Sequence, residues 1–258
     1  MGNKVLPMVT NLFGYQISCR GLGGDIAFAC HLLASSQSGH YIACANPHSL
    51  VVASQDRIFS EALKNADLLL PDGEGIIIAC RLLGLPRKER VTGSDFFYGL
   101  SAKLSKDRGA RYFFLGSTDL VLTLIKERIR EDYPNITVCG MLSPPFKEEF
   151  SEAENRKMVS AVNAAQPDVL WVGMTAPKQE KWIFKNRARL QVPLIAAVGA
   201  LFDFYAGTKQ RSSLFWQRLG LEWLPRFLRE PRRLWKRNMK STPTFLFWIV
   251  KEMVRKGK

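Results

Sequence analysis

"RYFFLGSTDLVLTLIKERIREDYPNITVCGML", residues 111–142, is the stretch of sequence that decides the fold. Two short apolar runs, at 111–116 and 136–142, flank a segment in which apolar residues recur at helical spacing. Both runs are nearly continuous, whereas a half-exposed strand would alternate apolar with polar residues. The pattern therefore predicts a strand, a helix and a second strand in a parallel sheet that is covered on both faces.

The same alternation continues on both sides of this stretch. Apolar runs predict further strands at 41–46, 66–71, 168–174 and 194–199, with helical segments between them. Residues 1–24 predict a small β-hairpin at one edge, followed by the turn "RGLGGD". The predicted fold class is α/β, an open, doubly wound and mostly parallel sheet whose ligands lie beyond the carboxyl ends of the strands.

The positive charge is concentrated at the C-terminal end of the chain. Of the formal net charge of +14 on 258 residues, residues 205–258 carry +11, from fourteen Lys/Arg against three Asp/Glu. We therefore divide the chain into an α/β domain, 1–206, and a basic, aromatic, helical appendage, 207–258, for which we expect an anionic partner. The longest apolar run, 194–202, is far short of the ~20 residues that span a bilayer.

Polar residues follow the predicted strands where a ligand is expected. Asn46 ends a strand just before a proline, and helix capping explains it as well as a ligand contact does. Asp72 lies in a Pro-Asp-Gly turn close to Glu74, and it is either a turn residue or a base that deprotonates a hydroxyl. A metal-binding acidic pair is the weaker interpretation, because the chain has neither a D-x-D sequence nor a His/Cys cluster.

Two further strand ends and one loop carry candidate residues. Gly116 and Ser117 precede a helix, whose free amides predict a cradle for a nucleotide diphosphate, although the G-x-G-x-x-G fingerprint is absent. Thr175, near Gln179, is a candidate helix cap and a candidate substrate contact. Lys178 and Lys181 lie at the start of the same predicted helix, where they oppose the helix dipole, and this favours a bound anion. Arg90 is either a solvated loop charge or a residue of the cleft.

The appendage combines arginines with aromatic residues, and residues 220–238 read "GLEWLPRFLREPRRLWKRN". We expect one helix over 213–223, new helical turns at Pro225 and Pro231, and a last helix that starts at Thr242-Pro243. The apolar half of the last helix is too short to span a membrane but long enough to lie in its interface. The competing interpretation is a basic amphipathic cap that packs on its own domain.

In order along the chain, seven segments resemble the WecG/TagA/CpsF family of glycosyltransferases, over roughly residues 10–240. They are "ANPHSLV", "ADLLLPDGEGIIIACRLLG", "ERVTGSDF", "FFLGS", "PDVLWVGMTAPKQEKWI", "GALFDFYAG" and "RLGLEWLPRFLREPRRLWKRN". The resemblance implies a Rossmann-like fold and an inverting, metal-independent enzyme without a cofactor. It would move a hexosyl unit from a UDP-sugar to a polyprenyl-diphosphate-linked saccharide on an anionic membrane surface, at the inner face of the plasma membrane.

The resemblance also assigns roles to individual residues. Asp72 matches the proposed general base, Asn46 a substrate contact, and Arg90 and Gln179 residues of the cleft. The appendage arginines match proposed diphosphate contacts, and the substrate-binding candidates among them are Arg226, Arg232 and Arg233. One departure is Cys44, where a threonine is expected.

Three other classes of function compete with this interpretation. A nucleic-acid-binding protein would use the Arg/Trp-rich appendage, but the charge is confined to that appendage and the α/β part has a polar cleft, so we expect no nucleic acid partner. An oxidoreductase is disfavoured by the missing dinucleotide fingerprint, and a membrane-docking scaffold would not depend on Asp72. The sequence leaves open the donor sugar (N-acetylmannosamine, its uronic acid or glucose), the final polymer and a homo-oligomer.

Overall fold

The structure, a computed structural model, describes residues 8–35, 37–209 and 231–256, with most side chains between 231 and 240 excepted. The described residues form an eight-stranded sheet in the order β1-β2-β4-β3-β8-β7-β5-β6. The strands are β1 Val9–Leu12, β2 Tyr15–Ser18, β3 His40–Ala45, β4 Leu68–Pro71, β5 Ala110–Gly116, β6 Ile136–Leu142, β7 Val169–Gly173 and β8 Leu194–Ala197. The β1–β2 hairpin is antiparallel and the other pairs are parallel, which confirms the predicted Rossmann-like α/β class.

Helices cover both faces of this sheet. They are α1 Gly21–Ala34, α2 Pro47–Ala53, α3 Arg57–Lys64, α4 Glu74–Leu82, α5 Gly93–Asp107, α6 Asp119–Asp132, α7 Glu152–Ala165, α8 Lys178–Asn186, α9 Leu201–Ala206 and α10 Pro231–Lys256. One apolar core lies under α2, α3, α4, α7, α8 and α10, and the other lies under α1, α5, α6 and α9. The chain crosses from one face of the sheet to the other after α1, α4, α6 and α8, so the sheet is doubly wound. Ligands of this architecture bind in crevices at the carboxyl edge of the sheet.

The predicted strands all form, but β6 is not buried on both faces as expected. Ile136 is buried, whereas the remaining β6 residues are half-buried or exposed. The reason is position, because β6 ends the order of strands and pairs only with β5.

The predicted turn "RGLGGD" is wrong, because these residues begin α1. The helix lacks a side-chain cap of its own at Arg20. Instead, the backbone N–H of Leu22 donates to Glu89 Oε1 over 2.8 Å, and Lys88 Nζ donates to the carbonyl of Arg20 over 2.9 Å. A loop that is distant in sequence therefore satisfies the helix start, which local patterns do not reveal.

The prediction of a new helix at Thr242-Pro243 is also wrong, because α10 runs through Pro243 without a break. A proline inside a helix costs about 3 kcal/mol. Tertiary contacts hold the helix on both sides of it: Ser241 Oγ lies 2.6 Å from His48 Nδ1 on α2, and Phe245 packs edge-to-face on Phe13 with ring centroids 5.6 Å apart. One face of α10 thus packs on the α/β domain.

Other expectations for the appendage remain predictions. The helix at 213–223 and the turn at Pro225 lie outside the described residues, and the boundary at 206/207 is untested. Within the part of the chain that the structure describes, none of the helices is both long and apolar enough to cross a membrane.

Candidate active site

Strands β3 and β4 bring the predicted base and the predicted asparagine together. Their register pairs Ala45 with Pro71, so Asn46 and Asp72 leave adjacent strands at the same level. Neighbouring strands lie about 4.8 Å apart. The backbone N–H of Asp72 donates to the carbonyl of Ala45 over 2.8 Å, and a Cβ on Gly73 would lie 3.7 Å from the Asn46 Cβ. The two candidates therefore share one end of the cleft.

Asn46 caps helix α2, as the alternative interpretation proposed. Its Oδ1 accepts the backbone N–H of Ser49 over 2.9 Å, and Ser49 Oγ accepts the backbone N–H of Asn46 over 2.8 Å. This reciprocal capping box fixes the asparagine side chain at the edge of the cleft. Its role as a substrate contact stays a prediction.

Arg90 is held beside the same strand end and is not a solvated loop charge. Its side chain is 15% exposed, and Nε lies 3.7 Å from Oε1 of Glu74. The backbone N–H of Val91 donates to the carbonyl of Pro71 over 3.0 Å, which ties the loop to the end of β4. These two contacts place Arg90 and Glu74 beside the end of β4, the strand that Asp72 follows.

Cys44, which stands where a threonine is expected, lies directly below this group. Its thiol donates to the carbonyl of Ala197 over 3.8 Å, and a Cβ on Gly93 would lie 3.3 Å from its Sγ. Burial raises the pKa of the Cys44 thiol well above its usual value, and the charge of Asp72 adds to the rise. A neutral, packed thiol of this kind fills space and is not a nucleophile.

Thr175 follows β7, and the prediction that it caps α8 is wrong. Its backbone is left-handed, with φ at 63°, and its hydroxyl donates to the carbonyl of Met174 over 2.6 Å. Helix α8 starts at Lys178 without a side-chain cap, because the residue at the N-cap is Pro177, whose side chain carries no acceptor. Thr175 is exposed and borders a pocket of about 740 Å³ that Phe150 and Trp182 also line. Its assignment as a substrate contact stays a prediction.

The lysines at the start of α8 have partners within the protein. Lys178 Nζ donates to the carbonyl of Lys147 over 2.9 Å and lies 5.0 Å from the centre of the Phe150 ring. Lys181 Nζ lies 2.9 Å from Oδ2 of Asp56. These contacts offset the unfavourable helix dipole, so the argument from the dipole to a bound anion loses its basis.

Gln179 clamps the carboxyl ends of β7 and β8. Its Oε1 accepts the backbone N–H groups of Met174 and Gly199, each over 3.2 Å, and its Nε2 donates to Glu180 Oε1 over 2.8 Å. Gln179 is 3% exposed and Glu180 is 2% exposed. Sequence reasoning missed Glu180; the available signal was its position three residues before the apolar Ile183, on the same side of the helix.

Gly116 and Ser117 lie farther along the sheet. Gly116 has φ at 128°, and a Cβ there would lie 2.4 Å from the carbonyl oxygen of Gly173, so only glycine fits. The carbonyl of Ser117 accepts the hydroxyl of Ser143 over 2.8 Å. In the strand order, β5 is four positions from β4. At about 4.8 Å per strand, the predicted nucleotide cradle is roughly 19 Å from Asp72. That role stays a prediction.

The remaining candidate residues are three arginines of the appendage, and the remaining question is whether the site could hold a metal ion. Arg226 lies outside the described residues, and so do the side chains of Arg232 and Arg233, although their backbone belongs to α10. Among the described residues, no three His, Cys, Asp or Glu side chains gather as a metal-binding group. Metal independence stays a prediction.

Comparison with known proteins identifies the family. Residues 10–258 match the family described as "Glycosyl transferase WecG/TagA/CpsF family". The chain belongs to this family. Two curated relatives bear the name N-acetylglucosaminyldiphosphoundecaprenol N-acetyl-beta-D-mannosaminyltransferase. The relative from Bacillus spizizenii is 31% identical over 228 residues, 87% of this chain and 85% of the relative. The relative from Staphylococcus aureus strain MW2 is 27% identical over 227 residues, 86% of this chain and 85% of the relative.

Membership of the WecG/TagA/CpsF family makes this chain a glycosyl transferase and confirms the resemblance seen in its motifs. The match extends through the basic appendage, so the appendage is part of the family's sequence and not an unrelated nucleic-acid-binding tail. The nucleic-acid alternative is therefore not favoured.

Proposed function

We propose that the chain transfers N-acetylmannosamine from UDP to N-acetylglucosamine that is linked through a diphosphate to undecaprenol, with inversion at the anomeric carbon. The names of the two relatives support this donor sugar and this acceptor. The observation that carries the proposal is the grouping of Asn46, Asp72 and Arg90 at one end of the cleft, since an inverting transfer needs one base on the acceptor.

In this proposal Asp72 is the general base. A hydroxyl of the acceptor sugar attacks the anomeric carbon from the face opposite UDP, while Asp72 takes its proton. The new glycosidic C–O bond forms as the bond to the diphosphate oxygen breaks, and UDP leaves with the electron pair. A base in this position contributes about 10²–10⁴ in rate.

Positive charge must stabilise the departing diphosphate. Arg90 supplies a guanidinium at the Asp72 end of the cleft, and we assign Arg226, Arg232 and Arg233 of the appendage to the diphosphate as well. The UDP moiety would extend along the carboxyl edge toward Gly116 and Ser117, passing the ends of β8 and β7 and the exposed Thr175. The strand order supports this path, because those strands lie between β3 and β5.

Comparing Asp72→Asn with Glu74→Gln tests the role of the base. Both changes replace a carboxylate by an amide, and the two residues are two positions apart. We expect Asp72→Asn to lower kcat by ~10²-fold or more while UDP still binds. Glu74→Gln should be milder, because Glu74 is 40% exposed and contacts Arg90 from one side of the site. Equal turnover of Asp72→Asn and the unchanged protein, at matched folding, would refute the assignment.

We also propose that α10 lies on the inner face of the plasma membrane, where the lipid-linked acceptor is found. While Phe245 and Ile249 pack on the α/β domain, a second apolar face of the same helix is exposed. Its members, all at least 45% exposed, are Met239, Leu246, Phe247, Val250, Met253 and Val254. Lys251, Arg255 and Lys256 add exposed positive charge, which suits an anionic lipid surface.

The outward-facing side chains allow a test that leaves the packing of α10 intact. Phe247→Ser with Val250→Ser should lower partitioning onto anionic liposomes by about tenfold or more, since each apolar side chain buried in lipid contributes roughly 1.5–3 kcal/mol. Leu120→Ser, at another exposed apolar position, is the control. Transfer to a soluble acceptor analogue should not change. Unaltered liposome binding by the double variant would show that this face does not contact lipid.

A further inference from the structure

Glu180 is a buried carboxyl group that forms no ion pair with any cationic side chain the structure describes. Its Oε1 accepts from Gln179 Nε2 over 2.8 Å, while Oε2 has no hydrogen-bond partner among the described residues. Its charge adds to the raised pKa of the Tyr41 hydroxyl and of the Cys44 thiol, both on β3. Burial raises the pKa of Glu180 to about 7. A glutamate in such surroundings destabilises the fold relative to an apolar residue of similar shape, so its presence calls for a role.

The orientation of the neighbouring amide supplies that role. Gln179 Oε1 must face the two backbone N–H donors at Met174 and Gly199. If the carboxamide were flipped, its NH₂ group would face those donors and all three would lack an acceptor. An acceptor at Glu180 captures the NH₂ group and excludes the flipped state. The correct orientation therefore depends on the Glu180 side chain.

The hydrogen bonds of Gln179 to Met174, Gly199 and Glu180, which we call the clamp, hold two segments that border the cleft. Met174 directly follows β7, Gly199 lies two residues beyond the end of β8, and Thr175 is the residue after Met174. Strand β8 also pairs with β3, which carries Asn46 at its end. A change in the spacing of β7 and β8 would therefore move Thr175 relative to the Asn46 and Asp72 end of the site.

We propose that Glu180 is a positioning residue of the transfer site, which orients the Gln179 carboxamide and thereby sets the spacing of the β7 and β8 ends along which the donor lies. The effect on transfer rests on the function proposed above, whereas the clamp is a property of the fold. The hydrogen bond, and not the negative charge, does the positioning. A glutamine at position 180 retains an acceptor oxygen, whereas a methionine of similar length does not.

The test compares Glu180→Gln with Glu180→Met and uses Glu131→Met, at an exposed position of α6, as the control. In ¹⁵N–¹H spectra we expect Glu180→Gln to keep the Gln179 side-chain amide and the backbone amides of Met174 and Gly199 protected from exchange. Glu180→Met should lose that protection and lower kcat by ~10-fold, with a smaller change in KM, because the reacting groups are misplaced. Glu180→Gln should restore kcat to within about threefold of the unchanged protein, since its acceptor oxygen is retained.

The outcomes separate the clamp from the proposed reaction. Full protection of all three amides in a folded Glu180→Met variant would overturn the proposal, as would loss of transfer in Glu180→Gln equal to that in Glu180→Met. If Glu180→Met does not fold, rapid exchange of the Gln179 side-chain amide in the unchanged protein would overturn it as well. Failure of the unchanged protein to transfer any sugar would count against the proposed function alone, because the spectra still report on the clamp.

Discussion

Removing the charge of Glu180 should change how the stability of the protein depends on pH. The folded protein raises the pKa of this carboxyl from 4.5 to about 7 through burial. Between those two pH values the folded state holds a proton that the unfolded chain has released. The free energy of unfolding therefore falls as the pH rises through this window and levels off above it.

The size of the effect follows from the same shift in pKa. Each tenfold change in proton affinity corresponds to about 1.4 kcal/mol. Over the full window, titration of Glu180 therefore lowers the free energy of unfolding by about 3 kcal/mol. From about pH 5 to about pH 8, the free energy of unfolding of the unchanged protein should fall by about 2.5 kcal/mol more than that of Glu180→Gln. Asp25, whose pKa burial raises to about 6, contributes its own slope, but it does so in both proteins and cancels in the difference.

Urea unfolding followed by tryptophan fluorescence at several pH values measures this difference. The amide of Glu180→Gln shifts stability by an amount that does not depend on pH, so the comparison uses the slopes and not the absolute values. Parallel curves for the two proteins across the window would refute the reasoning. They would mean that Glu180 titrates near its ordinary value and that its surroundings are more polar than the packing of α8 indicates.

Two further predictions concern the metal and the packing of α10. EDTA should leave transfer largely unchanged, since no D-x-D sequence and no His/Cys cluster is present; loss of turnover that Mg²⁺ or Mn²⁺ restores would reassign Asp72 and Glu74 as ligands. Phe245→Ala should weaken the docking of α10 by about 3–5 kcal/mol, because Phe245 is buried against Phe13. Phe247→Ala should weaken it by less than about 0.5 kcal/mol, because Phe247 is exposed. Hydrogen exchange of residues 231–256 checks this difference, and equal exchange in the two variants would contradict it.

The centre of the sheet was predictable because β3, β4, β5, β7 and β8 are almost entirely buried and read as continuous apolar runs. The run 136–142 matches β6 at both ends, although the edge position of β6, and hence its exposure, depends on the strand order. The start of α1 was not predictable, since its partner Glu89 lies 67 residues away in sequence. The continuity of α10 through Pro243 likewise depends on contacts with α2 and Phe13, which override the local signal of the proline.

In the candidate site, too, some residues were predictable from the sequence and others were not. Asn46 and Asp72 were recognisable because each follows a strand, and residues after parallel strands meet at one edge of a sheet. The Gln179–Glu180 clamp was not recognisable, because it joins the ends of β7 and β8, and only the folded sheet shows which backbone N–H groups the amide meets. The partners of the α8 lysines were not recognisable for the same reason, since Asp56 and the carbonyl of Lys147 come from other parts of the chain. The bound anion that these lysines suggested stays a prediction.

The most direct test of the proposed reaction is the mass of the product. The purified full-length chain is incubated with UDP-N-acetylmannosamine and a synthetic N-acetylglucosamine diphosphate lipid, and the products are analysed by mass spectrometry. We predict that the acceptor gains the mass of one N-acetylhexosamine and that Asp72→Asn forms this product at least ~10²-fold more slowly. An acceptor that stays unchanged with this donor, its uronic acid and UDP-glucose, in a folded protein that binds UDP, would contradict the proposed function.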